Sequence, residues 1–196
     1  GTPFTSMAAG QGRNADRQSQ DTDTSLDADE IHDLEYMREE EKLARDVYRT
    51  FYGIWGLPVF DNISESEEVH TTKVQDLLEK YRLSDPVVDD TTGVFVNQDL
   101  ATLYGALIDE GSQSSLKALY VGAAIEEIDM IDLQEAIDET DNADIQMVYE
   151  NLMSGSRNHL RAYVGQIEDL GVVYEAQYLS QDEVDSIVDS PIERSR

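Results

Sequence analysis

From residue 28 onward, apolar positions recur at steps of three and four residues, the period of an amphipathic helix. Glycine, proline or small polar clusters separate the segments. The first segment runs over 28–55: Asp27 and Glu30 have the spacing of a capping box, and Gly53, Gly56 and Pro58 close it. The second covers 59–83 and stops before Asp85 and Pro86, since the residue ahead of a proline avoids helical backbone. "DPVVDDTTGVFVNQD" reads as a loop with a short extended piece at "GVFV". A short helix over 98–109 ends at Gly111, and two more long helices cover 113–139 and 142–170. Ser180 and Glu183 repeat the capping-box spacing and predict a last short helix in "SQDEVDSIV". Four long helices with unequal connections predict an all-α fold, a helical bundle over 27–171, with a C-terminal extension over 172–196. Residues 1–26 are small, polar and aperiodic, which predicts a flexible tail.

The inward stripe of such a bundle should be apolar, so its exceptions are informative. On the first helix the stripe is Leu34, Met37, Glu41, Ala44, Tyr48 and Phe51. Of the three consecutive glutamates in "REEEKLARDVY", this puts Glu41 on the seam and leaves Glu39 and Glu40 on an acidic outer surface. The second helix has Ile63, Glu67, His70, Val74, Leu77 and Tyr81. The third long helix has Leu116, Leu119, Ala123, then Glu126 or Glu127, then Met130, Leu133 and Ile137. The fourth has Ile145, Val148 or Tyr149, Leu152, Ser156, His159, Tyr163 and Ile167.

Every long helix thus breaks its stripe near the middle. Singly, these residues have plain readings: a glutamate at a solvated edge, a Glu67–His70 surface pair, a core histidine at 159. Together they share one explanation. A buried carboxylate without a partner costs on the order of several kcal/mol or takes up a proton. A divalent metal converts the mutual repulsion of carboxylates and the lone pairs of neutral imidazoles into ligation. His32, near the start of the first helix, lies away from this level.

Composition narrows the chemistry. The 196 residues include no cysteine, which excludes disulfides, thiolate zinc sites, iron–sulfur clusters and cysteine nucleophiles, so any metal is held by carboxylate and imidazole. Forty-two acidic residues against 14 basic ones set a formal charge of -28, and the only lysines are Lys42, Lys73, Lys80 and Lys117. Such a surface repels phosphate backbones and anionic lipid, so no nucleic-acid partner is expected. It resembles the surfaces of proteins from salt-loving organisms, where salt screens the self-repulsion. The apolar runs are too short to span a bilayer, and a soluble protein is expected. The initial glycine fits a removed signal segment or an expression scar, and both a cytoplasmic and an exported or cell-surface location with a flexible acidic linker stay open.

These residues resemble the ferritin-like superfamily, the carboxylate-bridged di-iron bundles that include rubrerythrins and bacterioferritins, and within it the uncharacterised branch called domain of unknown function 2202. The superfamily pattern is a Glu on the first helix, Glu-x-x-His on the second, a Glu on the third and Glu-x-x-His on the fourth. The likeness covers about residues 28–170 and implies the following ligands. "EKLARDVY" supplies Glu41, with Ala44 making room one turn on and Tyr48 on the same face. "ESEEVH" supplies Glu67 and His70; "IEEIDMIDL" supplies Glu127, with Glu126 and Asp129 as rivals; "GSRNHLRAY" supplies His159. The fourth helix departs from the pattern, with Ser156 where a Glu belongs, so the site holds two metals, one or none, and Glu126 or Asp129 is a substitute reaching across from the third long helix.

The resemblance implies iron, two ions in the full pattern, with manganese or zinc as alternatives, and redox handling of dioxygen or peroxide as a ferroxidase, peroxidase or other oxidoreductase. With no cysteine for an attached iron domain, the electron donor would be external. Tyr48 is a hydrogen-bond or electron donor, or a core aromatic; Arg157 and Asn158 orient the His159 ring or face solvent. The competing class is a non-catalytic ferritin-like scaffold with a structural metal or none, acting as an interaction or stress-protective protein. A homodimer is allowed.

Overall fold

The structure is a computed structural model that describes residues 25–194, so all but the last two residues of the expected 1–26 tail lie outside the described residues. It is all-α. Six helices follow in order: α1 (Ala28–Trp55), α2 (Pro58–Lys80), α3 (Gln98–Gly111), α4 (Ser115–Glu139), α5 (Ala143–Asp169) and α6 (Gln181–Val188).

The caps explain the boundaries. Asp27 accepts from the Asp29 and Glu30 amides while Glu30 accepts from the Asp27 amide, so the expected capping box opens α1, and left-handed Gly56 closes it. Proline at the first position of α2 has no amide to leave unpaired. The helix ends three residues before the expected 83, because Arg82 turns left-handed (φ 59°) and the Leu83 amide bonds back to the Leu78 carbonyl at 2.8 Å. Ser180 and Glu183 form the second expected capping box at the start of α6. "GVFV" is not extended in a strand: it is irregular, with Phe95 plugged into the core.

Contacts at the two ends give the topology. At one end Lys80 of α2 and Tyr81, which caps it, bond to Asp144 of α5, and Glu30 of α1 accepts from Thr140 and Asn142 at the α4–α5 corner. At the other end the Trp55 indole at the close of α1 donates to the Gly111 carbonyl just before α4. The four long helices therefore run up, down, down, up, and each packs antiparallel to its neighbours. α2 and α4 run in the same direction, so the chain needs a crossover, made by residues 81–97 and α3.

The crossover lies on the outer face of α1, and between it and the rest of the bundle every residue from Arg38 to Tyr48 is buried. Glu39 is therefore not an acidic surface residue: it accepts from the Val96 and Asn97 amides at 2.6 and 2.9 Å. Lys42 bonds to Asp46 and to the Thr91 and Val94 carbonyls, Arg45 bridges Asp46, Glu68 and Asp90, and Arg38 reaches Asp85 and Thr71. The charged half of "REEEKLARD" is an internal clamp for the crossover.

The C-terminal extension folds back on α4 and α5, burying Tyr174 and Val184. Arg157 and Arg161 grip Glu193, and the Asn158 side chain donates to the Glu193 carbonyl. Arg157 and Asn158 thus serve the extension. Neither touches the His159 ring by a hydrogen bond.

Candidate metal centre

Four helices bring Glu41, Glu67, His70, Glu126, Asp129 and His159 together, each at most 7% exposed. Glu67 lies at the centre. Its Oε2 is 2.8 Å from His70 Nδ1 and its Oε1 is 2.7 Å from His159 Nδ1. Glu41 Oε2 approaches His70 Nδ1 from α1 at 3.2 Å, and Glu126 Oε2 approaches His159 Nδ1 from α4 at 3.4 Å. The rings are stacked, with centroids 5.4 Å apart. Ligand atoms of Glu67, His70 and His159 all lie within 4.8 Å of one another, the group among the described residues with the spacing of a metal site.

Several neighbours tie one atom of a group and leave its other atom facing inward. Ser66 lies 2.9 Å from His159 Nε2, which turns Nδ1 toward the carboxylates. The Tyr48 hydroxyl donates to Glu126 Oε1 at 2.6 Å, leaving Oε2 for the cluster. The Ser156 hydroxyl donates to Asp129 Oδ2 while Oδ1 has no partner. For His70 the constraint is steric: a β-carbon on Gly155 would lie 2.4 and 2.5 Å from ring atoms Cε1 and Nε2, so the ring rests directly on the α5 backbone.

Glu127 does not join the cluster. Its two oxygens accept from the Tyr174 hydroxyl and the Gln177, Tyr178 and Leu179 amides, all within 3.2 Å. The rivals Glu126 and Asp129, three residues apart on one face of α4, are the residues brought in. The stripe count left Glu126 and Glu127 open, and the resemblance pointed to Glu127; α4 is buried on several sides, by α1, α3, α5 and the extension, so apolar spacing could not choose between them. Tyr48 is both core aromatic and hydrogen-bond donor: its ring packs on Phe60 and Tyr163.

The electrostatics are those of a site short of positive charge. Burial raises Glu41 to about 7 against the opposing pull of His70, and burial raises Glu126 and Asp129 as well. Burial also works against Glu67, but the imidazoles, His159 foremost, outweigh it and hold Glu67 below the usual carboxylate range. Burial would lower His159, yet Glu67 and then Glu126 push it up to about 10; His70 is raised in the same way by Glu67 and Glu41. Glu41 Oε1, Glu67 Oε2, Asp129 Oδ1 and His159 Nδ1 are buried without a hydrogen bond. The short Glu67 contacts are close enough for ion pairs but out of line for hydrogen bonds at these two atoms. Glu41 Oε1 and Asp129 Oδ1 have no ion pair either, and an unpartnered buried polar atom costs about 1–3 kcal/mol, a cost that a bound cation would relieve.

Residues 30–191 match the family described as an uncharacterized protein domain, DUF2202. The chain is 50% identical over 169 residues to the uncharacterized protein MJ0754 of Methanocaldococcus jannaschii, covering 86% of this chain and 91% of that protein. The crystal structure of hypothetical protein MJ0754 from Methanococcus jannaschii superposes with a TM-score of 0.85 at 48% identity, over 89% of this chain and all of that one.

Proposed function

The chain belongs to the family of the uncharacterized domain DUF2202, and we propose that it is a ferritin-like metal-binding protein whose buried cluster holds iron, two ions at full loading, to handle dioxygen or peroxide. The observation that supports this best is the donor set. Glu41, Glu67, Glu126 and Asp129 with His70 and His159 make four carboxylates and two imidazoles, the complement of a di-iron carboxylate bundle. Ser156 removes a carboxylate from α5, and Asp129, bonded to the Ser156 hydroxyl, returns one from α4 to the same place. The up, down, down, up order with one long crossover is the topology of the ferritin-like bundles.

The residues fit such ions chemically. The orphaned atoms are lone-pair donors of the type hard and borderline divalent metals take, and both histidines turn Nδ1 inward. Glu67, with one oxygen toward each imidazole, would hold metal together with both histidines. Iron, when bound, would supply the one-electron redox chemistry toward dioxygen or peroxide. The chain's own contribution is to hold the ligands, keep water out with Tyr48, Phe60 and Tyr163, and steady Glu126 through the Tyr48 hydroxyl. With no cysteine in the chain, reducing equivalents come from an external donor. A second reading, one structural metal and no turnover, draws on the tighter grouping of Glu67, His70 and His159.

Metal content decides. The chain purified without added metal is analysed for iron, manganese and zinc, then loaded anaerobically with ferrous iron and exposed to peroxide. Near two irons per chain with a peroxide-sensitive visible band is expected, lost in Glu67→Ala/His70→Ala. One ion and no peroxide response supports the structural reading. No binding, and a melting temperature unmoved by iron, sinks both.

A further inference from the structure

Among the described helices, α6 packs on α5 alone: Val184 is buried, and Arg161 of α5 donates to the Ile187 carbonyl. Between α6 and α4 this leaves a cleft of about 580 Å³. That volume lies in the range of roughly 300–1,000 Å³ that small-molecule sites occupy. The walls are apolar, with Met130 and Ile131 from α4, Met153 from α5, and Leu179 and Ile187 from the extension. Met130 and Met153 are the deep residues, 5% and 8% exposed, and flexible thioethers fit a guest of irregular shape. The same two residues back onto the cluster. Met130 follows Asp129, and Met153 lies one turn before Ser156, whose hydroxyl holds that aspartate.

The rim sets the charge of the guest. Its basic side chain, Arg157, is taken by Glu193 through two bonds of 2.8 and 2.7 Å. The Glu183 carboxylate is engaged by Ser180 in the capping box of α6. Glu135 of α4 and Asp182 of α6, both exposed, are the carboxylates left to meet a ligand. A guest with positive charge is attracted there and an anionic one repelled, and the net charge of -28 acts with the same sign.

We propose that the cleft between α4, α5 and α6 binds a small, largely apolar organic cation, its apolar body on Met130 and Met153 and its charged end between Glu135 and Asp182. The site stands whether or not the buried cluster holds metal.

The test titrates the full chain, by fluorescence at physiological ionic strength, with two aromatic dyes of opposite charge: cationic thioflavin T and anionic 1-anilinonaphthalene-8-sulfonate. Wild type binds one thioflavin T per chain and the sulfonate about tenfold more weakly, the size of one exposed charge contact. Glu135→Lys/Asp182→Lys, at exposed positions, reverses that preference. Ile131→Trp, at a half-buried position, fills the cleft and removes both dyes, with a thermal melt as the check on folding. Thioflavin T held as tightly by folded Ile131→Trp as by wild type has settled on the acidic surface at large, which overturns the proposal. So does a wild type that binds neither dye, or prefers the sulfonate. A dimer in sedimentation whose formation expels the dye gives the cleft to a second copy and overturns it as well.

Discussion

Gly155 lies in the middle of α5, where glycine costs about 1 kcal/mol relative to alanine. The neighbouring ring accounts for it. A β-carbon there would overlap the His70 imidazole, and a flexible ring answers by swinging away from Glu41 and Glu67. Gly155→Ala is therefore expected to leave thermal stability within about 1 kcal/mol of wild type, helix propensity offsetting the clash, while metal affinity falls about 10–100-fold, the range for a lost orienting contact. Calorimetric titration with manganese(II) beside a thermal melt checks it; unchanged affinity would mean the ring seat is irrelevant. The neighbouring glutamates on α1 and α4 teach the same lesson. Glu39 and Glu41 have different partners, and Glu126 and Glu127 face opposite tasks one residue apart. Residue type said nothing about which was which.

α4 shows why. Apolar spacing finds the inward face of a helix that has one dry side, but α4 is dry on several, and Glu127 is fully buried against the extension while Glu126 is as deeply buried against the cluster. The Glu127 carboxylate satisfies three backbone amides and a phenol of the segment before α6, so Glu127→Ala leaves buried donors unpaired. We expect a loss of about 3 kcal/mol in thermal unfolding and faster amide exchange over 174–180, with metal stoichiometry unchanged. Loss of metal without loss of stability would return Glu127 to the ligand set. α5 has two jobs divided by face: His159 and Ser156 serve the cluster, while Arg157, Asn158 and Arg161 hold the extension.

At the scale of the molecule the cluster sets a pH dependence whose sign is fixed by its protons. The metal-free native state keeps protons that the unfolded chain would release. Glu41, raised from 4.5 to about 7, makes the native state lose stability as pH rises through that interval. His159, raised from 6.5 to about 10, contributes stability that is whole below 6.5 and is lost as pH climbs through 10. Glu67, held low, acts in the opposite sense only in acid. Bound metal takes the place of the protons, and its affinity rises with pH. Melting temperatures between about pH 5 and 10 should then decline without metal and hold or rise with manganese(II), and Glu41→Gln should flatten the acid part of the metal-free slope. A metal-free protein that gains stability across this range would contradict the protonation pattern. The net charge of -28 adds a repulsion that salt screens, so the comparison is made at constant ionic strength.

Local chemistry was enough for the elements. Period, capping boxes and proline placed six helices and most of their ends, because those signals act within a few residues of each other. The stripe exceptions also singled out Glu41, Glu67, His70 and His159, which the fold brings within reach of one another. Tertiary structure alone decided the rest. Only the crossover shows that Glu39 is covered, and only the fold-back of the extension shows that Glu127 is spent on backbone amides. Ser156 is the clearest case. In the sequence it is a missing carboxylate; in the fold its hydroxyl holds Asp129, because two side chains 27 residues apart meet only after α4 and α5 pack.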